Sequence, residues 1–324
     1  MILSRMNDDQ TLEPAGETVE KSVGNSTRLK QFFSTKRGKR IGLLLLLVAF
    51  LALATQQVYA RPVDDAFVRS ITRLLPYPAL SVNGTTVFMK EFLAEYDALT
   101  QYFADQEGGA PPADQLEIAI AETLVNKMVI RQLAEARGLA IDEARVEQYY
   151  QDVLASQESE EAFVQDLNDT FGWTVEEFKT RIVESIVLAL QMSEAILTDE
   201  ALQQSRLDTI DAAYARVVGG EDFATVAKEV NAGFDAGLEA DLGYVKLSII
   251  PESWASSVAT LETGGMTEVL DLPEGYAIFR VEDRIVAAED TQIHLLSITV
   301  PKVTLEDAVV EYLATAEVKR YVGE

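Results

Sequence analysis

The chain has no cysteine and a single histidine, His294, among its 324 residues. Without thiols it cannot form a disulfide framework, ligate an iron–sulfur cluster or supply a cysteine nucleophile. One imidazole also argues against a histidine-rich metal site and a Ser-His-Asp triad. The sequence further lacks the glycine motifs that bind phosphates or dinucleotides, and it lacks an H-E-x-x-H motif. We therefore expect no metal and no cofactor.

Basic residues are scarce: 27 Lys and Arg are outnumbered by 53 Asp and Glu, which gives a net charge of −26. Phosphate contacts would not hold such a chain on nucleic acid, so that class of function is excluded. Basic residues are unevenly distributed along the chain, because residues 1–40 hold eight basic and five acidic side chains. The N-terminal segment is therefore basic, and the remainder of the chain is strongly acidic.

One long run without charge, residues 41–60, follows the basic cluster at Lys36–Arg40. A helix of about twenty apolar residues spans a bilayer, and positive charge stays on its cytoplasmic side. We predict a transmembrane anchor at 41–60, a disordered cytoplasmic tail at 1–40 and an extracytoplasmic body. The alternative is a signal peptide cleaved after Ala60, because Val58-Tyr59-Ala60 fits a cleavage site. The length of the 40-residue lead favours the anchor.

The body divides at about residue 200. Residues 61–79 are predicted to be a juxtamembrane helix, over Arg61–Leu75, and a linker. Residues 80–200 show helical periodicity after a short strand and turn at Leu80–Gly84. A capping-box spacing predicts one continuous helix over Thr174–Leu197.

Short helices and strands alternate after residue 200. Strands are predicted at Leu242–Val245, Met266–Leu272, Tyr276–Val281 and Ile293–Val300, and a last helix is predicted over Thr304–Val322. The predicted fold class is α+β. It comprises a single N-terminal transmembrane helix, an all-α domain at 80–200, a small domain with a four-stranded sheet at 201–300 and a C-terminal helix within 301–324.

The first part of the body is similar to a known family. Ser81-Val82-Asn83-Gly84, followed by Phe88–Phe92, resembles the strand, turn and helix that open the chaperone domain of SurA-like and PrsA-like extracytoplasmic proteins. Leu124–Ala134 and Phe171–Phe178 continue that pattern. The resemblance covers residues 80–197 and implies a helical chaperone domain.

The second part of the body resembles a parvulin-type prolyl isomerase. The matching blocks are Gly219–Ala227, Ala240–Val245, Pro251–Trp254, Leu261–Gly264 and Glu274–Ile278. The strand that opens a parvulin domain is missing before these blocks, and Ile293-His294-Leu295-Leu296 resembles it after them. A sheet that lacks its central strand would expose an unpaired ladder, so we predict a permuted domain in which this later strand takes the central position. An unrelated additional edge strand is the alternative.

The resemblance also implies site residues. Leu242, Ile250 and Trp254 correspond to an apolar pocket for the proline ring, and His294 would lie beneath it as a catalytic residue. The loop position that usually carries Cys or Asp falls near Asp235, which is the second catalytic candidate. Ala277 replaces the family's other histidine, so we expect reduced activity. Each of these apolar residues is also an ordinary core type.

The sequence therefore predicts a membrane-anchored extracytoplasmic foldase. Its partners would be unfolded or partly folded exported proteins with proline segments, and it would isomerise their X–Pro bonds if the site is intact. One alternative is a non-catalytic chaperone or peptide-binding module with a degenerate parvulin domain. Another is an assembly subunit that holds one fixed partner.

Overall fold

The structure, a computed structural model, describes residues 35–104, 106, 108–234, 239–286 and 291–323. The described residues divide into two compact units, with the boundary between Ile71 and Thr72. Helix α1 (Lys36–Ala60) belongs to the first unit, and its stretch Lys39–Ala60 is long and apolar enough to cross a membrane. A signal sequence near an N-terminus can meet the same criteria of length and hydropathy, so this helix is compatible with both of the expected alternatives.

Helix α2 (Ala66–Leu74) spans the boundary between the units. The helix predicted over Arg61–Leu75 is shorter at its start, because Asp65 caps it. The carboxylate of Asp65 accepts a hydrogen bond of 2.8 Å from the backbone N–H of Phe67. This bond satisfies one of the N–H groups that a first turn leaves without a helical partner.

The first lobe of the second unit, called here the helical lobe, contains most of the helices. These are α3 (Met89–Ala104), α4 (Ala113–Ala136), α5 (Glu143–Ala155), α6 (Glu160–Phe171), α7 (Val175–Phe178) and α8 (Glu184–Leu197). The capping box of Thr174 and Glu177 is present at the start of α7. The helix predicted as continuous is interrupted by a π turn at Lys179–Val183, which separates α7 from α8.

A three-stranded sheet lies beside these helices. Strands β1 (Pro78–Val82) and β2 (Thr85–Phe88) form the expected hairpin, and Asn83 and Gly84 both have positive φ in its turn. An Asn-Gly turn of that kind matches the natural twist of a two-stranded ribbon. A third strand, Val318–Arg320, pairs antiparallel with the other edge of β1.

That third strand corrects the prediction of a C-terminal helix over Thr304–Val322. The helix, α12 (Leu305–Thr315), ends where Ala316 takes an extended conformation. Beyond it Asn83 accepts a 2.9 Å hydrogen bond from the N–H of Glu317 and donates its own N–H to the Glu317 carbonyl. The chain therefore pairs with the exposed edge of β1, which a further helical turn would have left without a partner.

The second lobe, called here the sheet lobe, follows α8 directly. Its elements are α9 (Glu200–Val218), α10 (Phe223–Ala232), β3 (Asp241–Lys246), α11 (Glu252–Ala259), β4 (Leu270–Asp271), β5 (Gly275–Ile285) and β6 (Gln292–Pro301); the strand Val318–Arg320 is β7. The sheet is antiparallel with the order β3-β6-β5-β4. Strand β6 is thus central, as predicted. The strand expected over Met266–Leu272 is reduced to β4 and a single bridge at Met266.

Each face of this sheet carries its own hydrophobic core. Tyr276, Ile278 and Ile298 pack against α9 and α10 on one face. Ala277, Phe279 and other side chains that alternate with them pack against α11 on the opposite face. A sheet buried on both faces explains why β5 and β6 are apolar along most of their length.

The two chain segments that join the lobes meet at Gln203. Its side chain is buried, and its amide donates 3.0 Å hydrogen bonds to the carbonyls of Ile196 and Val303. Its carbonyl oxygen accepts a 2.8 Å hydrogen bond from the N–H of Val303. One side chain therefore fastens the segment entering the sheet lobe to the segment leaving it.

Candidate functional site

The face of the sheet lobe that carries α11 is the expected position of a proline pocket. Ile250 is buried there, and Trp254 stacks on Phe279 with ring centroids 4.2 Å apart and an interplanar angle of 13°. Such a stacked pair is a favourable core contact. The indole ring therefore packs on the sheet through Phe279.

Arg284 holds α11 on this face. Its guanidinium donates hydrogen bonds to three carbonyls at the end of the helix, those of Val258, Ala259 and Leu261, at 3.2, 2.9 and 2.6 Å. A cation at a helix C-terminus satisfies free carbonyls and complements the helix dipole. The position of Trp254 is thus fixed from strand β5.

His294 lies on the opposite face from Trp254. Its neighbours Ile293 and Leu295 belong to the Trp254 core, and side chains alternate between faces along a strand. His294 pairs with Tyr244 and Asp283 across the sheet, and the Tyr244 ring lies 5.0 Å from the imidazole. The expected arrangement, with His294 beneath the Trp254 pocket, is therefore not the one that the structure has.

Carboxylates surround His294 on its own face. Its Nε2 lies 2.6 Å from Oδ1 of Asp241, and the hydroxyl of Tyr244 donates to Asp283. The N–H of Gly243 and then His294 lower the pKa of Asp241 below its usual value. The Tyr244 hydroxyl and the N–H of Arg284 lower the pKa of Asp283 in the same way. These contacts stabilise ionised carboxylates at the rim of the sheet.

The remaining expected site residues are dispersed. Leu242 is 37% exposed on β3 and borders an open depression with Ala224 and Lys228 of α10. Ala277 is buried on the Trp254 face and pairs with Thr299. Asp235 lies outside the residues that the structure describes. Two of the three predicted pocket residues, Ile250 and Trp254, belong to one hydrophobic cluster. Leu242, the third, is not part of that cluster among the described residues.

No metal centre is formed within the ranges that the structure describes, since no three His, Asp or Glu side chains there come close enough to hold an ion.

A second site, which the sequence reasoning missed, lies in the helical lobe. A cavity of about 440 Å³ opens between β2, α3, α4, the π turn and α8. Half-buried Lys127 on its wall donates a 2.8 Å hydrogen bond to the carbonyl of Arg181 in the π turn. Arg181 in turn forms a 3.3 Å ion pair with Glu95 and lies over the ring of Trp173. The sequence signal was a lysine between Leu124 and Met128 on the apolar side of a helix, where a charge is costly without a role.

Known proteins share sequence similarity with this chain. Residues 186–283 match the family described as Rotamase, PPIC-type PPIase domain. Chaperone SurA of Chromobacterium violaceum is 19% identical over 276 residues, which cover 74% of this chain and 63% of the relative. Chaperone SurA of Aromatoleum aromaticum is 25% identical over 284 residues, which cover 76% and 64%. The chain thus spans somewhat less than two thirds of the length of these curated relatives.

A solved structure of the foldase protein PrsA from Lactococcus lactis matches 73% of this chain and 82% of that chain, with 14% identity and a TM-score of 0.24. The sequence matches confirm the resemblance to SurA-like chaperones that carry a parvulin-type domain. The PPIC-type match begins within α8 and ends within β5.

Proposed function

We propose that this chain is a membrane-attached extracytoplasmic chaperone that holds unfolded exported polypeptides, and that its parvulin-like lobe has no isomerase activity. The observation that carries the proposal is the separation of His294 from Trp254 by the thickness of the sheet. Sequence similarity to proteins named Chaperone SurA supports the chaperone part. The apolar helix at Lys39–Ala60 supports attachment to a membrane.

Chemistry supports the absence of catalysis. Rotation of an X–Pro bond must cross a barrier of roughly 20 kcal/mol, which a site lowers by gripping the ring and favouring the twisted amide. On the Trp254 face the space above Phe279 is taken by the indole itself. The polar groups near His294 face away from that position. A proline ring placed against this face would therefore meet the indole and have no adjacent imidazole from His294.

Residual isomerase activity is a second candidate, which the PPIC-type match favours. A protease-coupled assay on a proline-containing peptide separates the two candidates, using the full-length chain in lipid nanodiscs. We expect a rate equal to the spontaneous rate at all enzyme concentrations. A rate that rises with enzyme concentration and that is lost in Trp254→Ala but kept in Trp254→Phe would assign catalysis to this lobe.

The chaperone function is tested by light scattering of a chemically unfolded client diluted into buffer. We expect nanodiscs that carry the chain to suppress aggregation, with empty nanodiscs as the control. A client without proline should be protected as well as a proline-rich one, because holding requires no prolyl chemistry. No suppression at a tenfold molar excess of the chain would contradict the proposal.

Attachment to the membrane is tested with the same chain carrying an N-terminal and a C-terminal epitope tag. An uncleaved anchor predicts that both tags stay on one membrane-bound polypeptide and that external protease removes only the C-terminal one. Loss of the N-terminal tag, with release of the body, would assign a cleaved signal peptide instead.

A further inference from the structure

The cavity of the helical lobe has the size of a ligand site. Its volume of about 440 Å³ lies within the range of small-molecule and short-peptide pockets. Residues from five separate elements border the cavity, so the opening does not depend on the position of any one loop. The fold therefore maintains this opening next to the hairpin of β1 and β2.

One wall of the cavity is the outer edge of a sheet. Strand β2 is an outer strand in the order β2-β1-β7. Thr85, Thr86 and Val87 all border the cavity, although successive side chains of a strand point to opposite faces. The cavity consequently runs along the edge of the strand, where main-chain N–H and C=O groups can pair with an added extended peptide.

Two cations lie on the wall formed by α4. The ammonium of Lys127 is bonded to the Arg181 carbonyl, and burial lowers the pKa of this lysine below its ordinary value. Arg131 is one helical turn further along and exposed. Arg181 is already paired with Glu95. A carboxylate arriving at Lys127 and Arg131 would replace hydration that the lysine has lost.

The remaining lining limits what can bind. Glu91, Glu95, Glu135 and Glu184 also border the cavity and outnumber its three cations, so its overall charge does not attract a polyanion. Leu124 and Met128 flank Lys127 and supply an apolar surface directly beside the ammonium. The fitting ligand has one carboxylate next to an apolar side chain.

We propose that this cavity binds an extended client segment that adds to the edge of β2 and presents a single carboxylate, adjacent to an apolar side chain, to Lys127 and Arg131. The inference rests on the proposed chaperone function and names the chemical class of the segment. The carboxylate has two possible sources, the C-terminus of a chain or an internal Asp or Glu.

The test uses fluorescence anisotropy of labelled hexapeptides that end in leucine, with the full-length chain in nanodiscs. A peptide with a free C-terminal carboxylate should bind about tenfold more tightly than its C-terminal amide, the effect of one charge-assisted hydrogen bond. An amidated peptide with an internal Glu beside leucine tests the second source. Restored affinity in that peptide shows that side-chain carboxylates are accepted, and no restoration shows that the terminus is read.

Two variants connect the effect to the cavity. Lys127→Met and Arg131→Gln should each weaken the free-acid peptide severalfold and leave the amide unchanged. Arg131 is exposed, so its variant keeps the test valid if Lys127→Met fails to fold. Arg137→Gln, at the end of the same helix and outside the cavity lining, removes the same charge and should change neither affinity.

Equal binding of acid and amide, or unchanged binding in Arg131→Gln, would overturn the inference. If aggregation of an unfolded client is still suppressed in that case, the proposed function stands and only the carboxylate assignment fails. If the unsubstituted chain neither binds the peptides nor suppresses aggregation, the proposed function and the inference are both overturned.

Discussion

The helical lobe and the sheet lobe use their polar side chains differently. In the helical lobe Lys127 and Arg181 lie on the wall of an open cavity. Lys127 donates a hydrogen bond to a carbonyl of the π turn, and Arg181 pairs with the carboxylate of Glu95. In the sheet lobe Trp254 stacks on Phe279 on the face where a proline pocket was expected, while His294 contacts the carboxylate of Asp241 on the other face. Matching sequence blocks thus predicted the framework of the sheet lobe, but its chemistry depends on which face a single side chain takes.

The comparison is tested most strongly at Trp254. If the indole is core, Trp254→Ala should lower the free energy of unfolding by about 2–4 kcal/mol, because a large aromatic group leaves a packed face. Trp254→Phe keeps a ring on Phe279 and should cost about 1 kcal/mol. Urea denaturation followed by circular dichroism measures both. Unchanged stability of Trp254→Ala would show an open aromatic wall and so restore the pocket interpretation.

The connection between the lobes is tested at Gln203. Replacement by alanine removes three hydrogen bonds, two of them to the part-buried N–H and carbonyl of Val303, and should lower the free energy of unfolding by about 2–3 kcal/mol. Gln204→Ala, on the exposed side of the same helix, should change it by less than about 0.5 kcal/mol. If both variants unfold at the same urea concentration, the junction is not held by this amide.

The smallest expected effect concerns the carboxylates around His294. Asp241 and Asp283 have folded-state pKa values below those of the unfolded chain, so their stabilisation is complete above about pH 4 and is lost as the pH falls through the lowered values. The melting temperature of Asp283→Asn should therefore fall less than that of the parent between pH 5 and pH 3. Asp211→Asn, on an exposed helix surface, is the control. A parallel fall in all three proteins would argue against the contribution of Asp283.

The sequence predicted the elements that depend on local pattern or on sheet closure. The hairpin at Asn83-Gly84 and the capping box at Thr174 follow from turn and cap chemistry. The central place of β6 follows from the need to pair every ladder in a sheet.

Other features depend on long-range contacts and were not predictable. The face of His294 follows from its alternation along β6 with Ile293 and Leu295, which are buried in the Trp254 core. Register shifts in the neighbouring strands β3 and β5 determine which residues lie opposite His294, and the sequence does not reveal them. Strand β7 forms because Asn83 bonds Glu317, 234 residues away in the sequence. The π turn is bonded through the Arg181 carbonyl to Lys127, a residue of another helix.

Because both connecting segments meet at Gln203, the sheet lobe is an insertion whose two ends lie next to each other. The chain leaves the helical lobe after Ile196 and returns at Val303, and the same amide touches both points. Ile285 of β5 and Gln292 of β6 are likewise paired neighbours at the other end of the sheet. New termini between these two residues, with β6 joined to the start of the lobe, would therefore require little rearrangement. Exchange of the whole lobe with that of a relative, or excision with a short splice across the gap, is consequently compatible with an intact helical lobe.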